Sequence, residues 1–346
     1  MFKNLKIVEL ASVLAGPLTG TFFAELGAKV IKIENKLTHG DVTRTWKLPT
    51  ESKENPISAY YSAANFSKES LFLDVTDPLD YEILINHIRD ADIVITNYKR
   101  STAKKLKLCY EDLKPYNQSL IYAELTGFGG DDSRPAFDVV LQAETGFMFM
   151  NGEPNRKPVK MPVALIDVLA AHHLKEAILC ALINKLQTGD GKHIKISLYD
   201  CALASLVNQA TNWLMEAHIP QPMGTQHPNI APYGDMYMTK DDKLLVLAIG
   251  SDKQFEQLCT LLKIECDAFR TNAQRLSKRE ALNSTIRACI VQNPSQYWVA
   301  QLEARHIPYG IVKNMQDVFK AKKANTLLLK EVIEGVETVR VKTALV

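Results

Sequence analysis

In MPVALIDVLAAHHLKEAILCALINKL (161–186), Asp167 is a carboxylate set between Ile166 and Val168 at the start of an apolar helical run. Burying such a group costs several kcal/mol unless it is paired, caps a helix or reacts, so its place requires a reason. Two reasons fit the pattern. As an N-cap, the carboxylate accepts the first free amides of a helix and stabilises it by about 1 kcal/mol. As a nucleophile, it uses the same position, where the helix terminus keeps it ionised inside an apolar setting. The neighbouring His172 and His173 do not form a metal pair, because adjacent helical residues point in different directions.

Two further stretches could meet a ligand. ELASVLAGPLTG (9–20) joins a strand to a helix through small residues, with Val13, Leu14, Ala15 and Gly16 at the turn. It lacks the GxGxxG spacing of a dinucleotide fingerprint, but such a turn either connects tightly or turns backbone N–H groups toward an anion. NYKRSTAKKLK (97–107) carries Lys99, Arg100, Lys104, Lys105 and Lys107 just beyond an apolar strand. Cations at helical spacing form either a solvated face or a phosphate contact.

The elements that must position these residues read as α/β. LKIVEL (5–10), KVIKIE (29–34), DADIVITN (90–97), SLIYAELTGFG (119–129) and HIKISL (193–198) are strands, separated by helices over 17–28, 78–89, 100–113 and 167–188. This alternation predicts a Rossmann-like parallel sheet, which binds ligands at the carboxyl ends of its strands. A single long helix is expected over 199–217. The Pro- and Gly-rich HIPQPMGTQHPNIAPYG (218–234) marks a boundary. Beyond it, DMYMTKDDKLLVLAIG reads as a hairpin turning at Asp241 and Asp242, followed by two or three helices over 252–305. The expected organisation is a large domain over 1–205, a linker over 206–225, a smaller α+β domain over 226–306 and a segment over 307–346 that returns to the large domain.

Composition narrows the class of function. The chain has 346 residues, 46% of them hydrophobic and 23% charged, with 41 basic against 39 acidic side chains. That even balance gives no bulk electrostatic reason to expect nucleic acid or a membrane surface as partner. No run of about 20 apolar residues could span a bilayer, and no signal peptide is evident. The six cysteines form neither a CxxC pair nor a metal-ligand spacing, a pattern that fits a reducing cytoplasm, and no metal site is expected.

Taken in order, ELASVLAGPLTGTFFAELGAKVIKIEN, GDVTRTW (40–46), ANFSKESLFLDVTDP (64–78), DADIVITNYK, AELTGFG, FDVVLQAETG (137–146), Asp167 and TGDGKHIKISLYDCAL (188–203) resemble the class III CoA-transferases. Formyl-CoA, carnitine and dicarboxylate CoA-transferases are members, and α-methylacyl-CoA racemase is a relative. The resemblance implies an acyl-CoA:carboxylate CoA-transferase with CoA and acyl-CoA as substrates and no permanently bound cofactor. It also implies two protomers threaded through one another as an interlocked homodimer. Asp167 corresponds to the family's nucleophile, which passes through mixed anhydrides and an aspartyl-CoA thioester. Val13, Leu14, Ala15 and Gly16 fall at the reacting end, with the turn as candidate N–H donor for tetrahedral intermediates. Trp46, Tyr60, Phe137 and Asp138 match substrate-pocket walls. Lys36, Leu73, Val75, Asn97, Tyr98, Lys99 and Lys105 fall where the family contacts CoA.

The sequence departs from the pattern in places. Leu14 stands where formyl-CoA transferase-like members carry glutamine, and the polyglycine loop is missing, with HPNIAPYG (227–234) the only loop nearby. Racemases carry His-Asp where this chain has Phe137-Asp138, which removes one of two acid/base groups. The competing readings are therefore a racemase-like enzyme, which could recruit Asp252, and a catalytically silent CoA-binding subunit.

Overall fold

A computed structural model describes residues 1–130, 132 and 134–346. The chain forms two compact units, one of residues 1–148, 160–219 and 326–346, the other of residues 149–159 and 220–325. The return to the first unit thus comes at 326, later than the 307 of the sequence reading, and the short stretch 149–159 sits with the second unit.

The first unit is built on a six-stranded parallel sheet. Its strands are β1 (Lys6–Leu10), β2 (Lys29–Asn35), β3 (Lys68–Leu73), β4 (Ile93–Thr96), β5 (Ile121–Thr126) and β6 (Lys192–Ser197). Their spatial order is β3-β2-β1-β4-β5-β6, the doubly wound order in which the chain reverses direction across the sheet between β1 and β4. Alternate residues of each strand feed opposite layers. Ile7, Ile93, Ile95, Ile121 and Ala123 pack against helices α1 (Ala15–Glu25) and α6 (Leu165–Thr188), whereas Val8, Ile31, Ile33 and Val94 pack against α3 (Pro78–Arg89). Leu174 and Ile178 of α6 are fully buried, and each such side chain contributes about 1.5–3 kcal/mol. Further helices of this unit include α2 (Ala59–Ala63), α4 (Arg100–Lys105), α5 (Asp138–Glu144), α7 (Leu198–Ala204) and α8 (Asn208–Glu216).

The helix expected over 199–217 is therefore two. It breaks at Val207, whose φ of +45° a β-branched residue in a helix cannot adopt. The edge strand β3 also escapes a reading by apolar runs, since KESLFL is only partly buried.

The second unit holds strands β7 (Tyr233–Met238), β8 (Leu244–Ala248) and β9 (Tyr309–Ile311) as an antiparallel sheet, with the expected turn at Asp241 and Asp242 between the first two. Four helices cover 252–303, one or two more than expected: α9 (Asp252–Leu262), α10 (Asn272–Ser277), α11 (Arg279–Ile290) and α12 (Ser295–Glu303). Their apolar faces meet in a core of its own around Phe255, Leu258, Leu282, Ile286 and Trp298.

In the first unit, the returning chain forms an antiparallel hairpin of β10 (Leu328–Ile333) and β11 (Val336–Val341). Two ion pairs anchor it. Arg340 meets Glu25 of α1, and Glu334 takes the Arg44 guanidinium at 2.9 Å through both of its oxygens. No helix among the described residues is long and apolar enough to cross a membrane.

Candidate active site

The crevice at the switch between β1 and β4 is where a sheet of this order binds ligands. Two residues bridge it. The Ser12 N–H donates to Asn97 Oδ1 at 3.0 Å, and Asn97 Nδ2 donates back to the Ser12 carbonyl at 2.8 Å. Gly16 is required beside them, because a Cβ there would overlap the Ala11 side chain as α1 leaves the strand. Val13, between them, has φ +71°, a left-handed conformation that is a genuine outlier for a β-branched residue. Its N–H donates to both oxygens of Asp41, at 3.3 and 3.1 Å. Val13 is therefore not free to donate to an oxyanion as the turn was expected to do. The amides of Leu14, Ala15 and Gly16 remain at the helix start, where no intrahelical acceptor exists.

Asp167 lies at the third position of α6 and is only partly covered. Its carboxylate makes no hydrogen bond or ion pair among the described residues, so it is not the helix cap. Asp138 takes that role: its Oδ1 accepts from the Ile166 N–H at 2.7 Å and its Oδ2 from Gln142 Nε2 at 2.6 Å. Gln142 in turn accepts from the Met161 N–H at 2.8 Å, which fixes the chain that enters α6. Burial and then the nearby Asp138 charge push the Asp167 carboxyl up to about 7. The helix terminus, expected to hold this group ionised, is outweighed by desolvation.

Tyr60 joins the same neighbourhood. Burial pushes its hydroxyl up to about 12, and the charges of Asp167, Asp138 and Asp41 add to that. Its ring meets Trp46 edge-on at 5.2 Å, making an aromatic wall. Helices α1 and α6 pack together beside it, and Thr19 ties them by donating toward the carbonyls of Ala15 (3.0 Å) and Ala171 (3.3 Å). Ala15 lies one turn before Thr19, and Asp167 one turn before Ala171. Phe137 is 54% exposed at the start of α5.

A cavity of about 510 Å³ opens beyond the ends of β4 and β5. Asn97, Tyr98 and Lys99 line it, together with Arg100 and Lys104 of the same basic run and Arg134, which the sequence reading did not single out. Arg134 stacks over Phe128 at 3.7 Å and pairs with Asp132 and Glu144. Lys105 is not among the lining residues. Lys36, Leu73 and Val75 lie near the ends of β2 and β3: Lys36 is exposed, Leu73 buried and Val75 between them.

Reading the residues by type missed the buried charges behind the turn. Lys32, 1% exposed, meets Glu9 at 3.2 Å and Asp41 at 3.1 Å and donates to the Ala11 carbonyl at 2.7 Å. Burial alone would lower its ammonium pKa, yet Glu9 and Asp41 hold it above the usual value. Lys68 bonds Glu9 at 2.8 Å, but burial, with Lys32 close by, brings it down to about 8. Glu34 accepts from Arg44 at 2.6 and 2.8 Å and from the Asp41 N–H at 2.7 Å, and these bonds overcome burial to hold it at about 2. The signal was present in GDVTRTW, where Asp41 stands two residues before Thr43 in a capping pattern.

Residues 2–345 match the family described as CoA-transferase family III. The chain is 35% identical over 326 residues to succinate–glutarate CoA-transferase of Agrobacterium fabrum, covering 91% of this chain and 81% of that protein. It is 32% identical to acetyl-CoA:oxalate CoA-transferase of Acetobacter aceti, over 89% of this chain and 80% of the relative. A crystal structure of a CaiB/BaiF family protein from Brucella suis superposes with a TM-score of 0.84 at 36% identity, covering 98% of this chain and 90% of that one.

Proposed function

The chain belongs to CoA-transferase family III and is a transferase, and from that premise we propose that it moves CoA from an acyl-CoA to a free carboxylic acid through Asp167. The observation that carries this reading is the Asp167 carboxylate itself, partly desolvated, without a partner, and one turn from the contact that joins α6 to α1. A carboxylate stripped of water and left unpaired is more nucleophilic than a solvated one.

In the proposed sequence, an Asp167 oxygen attacks the thioester carbon and expels CoA thiolate, leaving a mixed anhydride. The thiolate then attacks the Asp167 carbonyl, which releases the donor acid and forms an aspartyl-CoA thioester. The acceptor carboxylate attacks that thioester, again expelling thiolate and forming a second anhydride. Thiolate attack on the acceptor's acyl carbon yields the new acyl-CoA and returns Asp167 as carboxylate. Each tetrahedral intermediate carries an oxyanion, for which the Leu14, Ala15 and Gly16 amides at the start of α1 are the candidate donors. Trp46 and Tyr60 form the apolar wall that limits water, whose attack would waste the thioester.

The cavity beside Asn97 suits CoA, because Lys99, Arg100, Lys104 and Arg134 bring cations to its lining. Small dicarboxylates are the substrates we favour, by analogy with the relatives' names. We also infer a homodimer. Trp213, Leu214 and Met215 of α8 are 50–76% exposed, and Gln209 Oε1 and Asn212 Nδ2 are buried there without a hydrogen-bond partner. Racemisation has less support: Asp252 is held by the buried Arg275 at 2.6 Å, and Phe137 brings no acid or base.

The test is CoA exchange from succinyl-CoA to a panel of carboxylic acids, followed by mass. New thioesters from wild type, absent with Asp167→Ala and Asp167→Asn, are expected. Solvent deuterium entering the acyl group without exchange would replace this reading with racemisation, and CoA binding with neither outcome would replace it with a silent subunit.

A further inference from the structure

Asp41 touches neither the cationic cavity nor Asp167, yet it holds one of the strained residues of the chain. The Val13 N–H is turned inward onto the Asp41 carboxylate, 28 residues away in sequence. The carboxylate itself has little freedom. Its Oδ1 accepts from the Thr43 N–H at 3.0 Å and hydroxyl at 2.8 Å, and its Oδ2 faces the Lys32 ammonium at 3.1 Å. Lys32 is fixed in turn by Glu9 and the Ala11 carbonyl. Asp41, Thr43, Lys32, Glu9 and Ala11 are all buried and Val13 itself is half-buried, so a β-branched residue in the left-handed region is over-determined by its surroundings, the condition under which such strain persists.

We propose that Asp41 is a positioning residue for CoA transfer: ion-paired to Lys32, it pins Val13 in the left-handed conformation and thereby sets the turn from Ser12 to Gly16 against the reacting carboxyl. The inference rests on the CoA-transfer reading of Asp167. It follows from the order of the bonds. Ser12 is held by Asn97 across the crevice, Val13 by Asp41 from behind, and Ala15 stands one turn before Thr19, the residue that ties α1 to α6. Releasing the middle anchor lets Val13 return to the extended or right-handed region, which swings the side chains and amides that follow it. The CoA cavity is lined by other residues and keeps its shape.

The variants are Asp41→Asn, Asp41→Glu and the pair Asp41→Asn with Val13→Gly, assayed by CoA exchange and expressed per site trapped by hydroxylamine as the Asp167 hydroxamate. Asp41→Asn is expected to lower kcat at least about 20-fold with KM for succinyl-CoA within about threefold, as loss of preorganisation does. Asp41→Glu keeps the charge facing Lys32, protects the fold, and lowers kcat as well because its oxygens are displaced. Glycine adopts positive φ without strain, so adding Val13→Gly to Asp41→Asn is expected to restore kcat at least about fivefold. Because kcat is counted per trapped site, a role in stability alone would leave it near wild type in Asp41→Asn. Asp41→Glu at wild-type kcat, or no recovery in the double variant, overturns the proposal while leaving CoA transfer standing. Wild-type protein that exchanges no CoA across the panel overturns the underlying reading and this one with it.

Discussion

Behind the turn, Glu9, Lys32, Asp41 and Lys68 lie almost wholly out of water and each has an opposite charge within 3.2 Å. At the start of α6, Asp167 is less deeply covered and has none. The same physical cost, desolvation, is offset by pairing in the first region and left standing in the second. Charge that is paired fixes backbone, whereas charge that is unpaired moves its own pKa and stays available to react.

Four measurements test that contrast. The largest effect is expected at the unpaired group: Asp167→Asn should reduce CoA exchange by at least about 10³-fold, as loss of a covalent nucleophile does. An Asp167→Asn enzyme within tenfold of wild type would show that another group reacts. Lys32→Met comes next. It leaves Glu9 and Asp41 buried without their shared cation and should cost about 3–5 kcal/mol in urea unfolding. A loss below 1 kcal/mol would mean that water reaches the pair.

The third measurement is pH dependence. Asp167 must be ionised to attack, so kcat/KM should rise about tenfold per pH unit below an apparent pKa of about 7 and level off above it. Stability runs the other way. The folded pKa is raised above the unfolded 3.8, so the group costs nothing below that value, and the cost grows as pH rises toward 7. Asp167→Asn should accordingly stabilise the protein by about 1–3 kcal/mol at pH 8 and have little effect at pH 3.5. Equal unfolding midpoints at pH 8 would remove the claim that Asp167 is desolvated. The smallest effect is expected at Glu334→Gln, a partly exposed partner of Arg44, at about 0.5–1 kcal/mol in thermal unfolding.

Some of this was legible in the sequence. The central strands stand out because IVEL, VIKIE and IVIT are buried on both faces and so read as nearly continuous apolar runs. Asp167 stands out because its neighbours are apolar. The Asp41 network does not, since Lys32 in KVIKIE has the spacing of an outward-facing charge. It is buried because the β1 and β2 register sets it directly against Glu9, a fact about strand pairing that one strand's residues do not carry. Arg134 and Gly127 were hidden for a similar reason. Both belong to loops whose value lies in what they approach, and a Cβ on Gly127 would overlap Ala136 across the mouth of the cavity.

The hairpin of β10 and β11 has a consequence for the order in which the molecule can be completed. Arg44 leaves the ribosome 290 residues before Glu334, the carboxylate that takes one edge of its guanidinium. At about 5–20 residues per second, that interval is roughly 15–60 s. Through it, the sheet can assemble while the loop that carries Asp41 and Trp46 still lacks one of its anchors. A nascent chain therefore carries Trp46, Tyr60 and Asp167 long before the Glu334 anchor of Arg44 exists, and the loop that bears Asp41 and Trp46 is fully tied down only as one of the late events of synthesis.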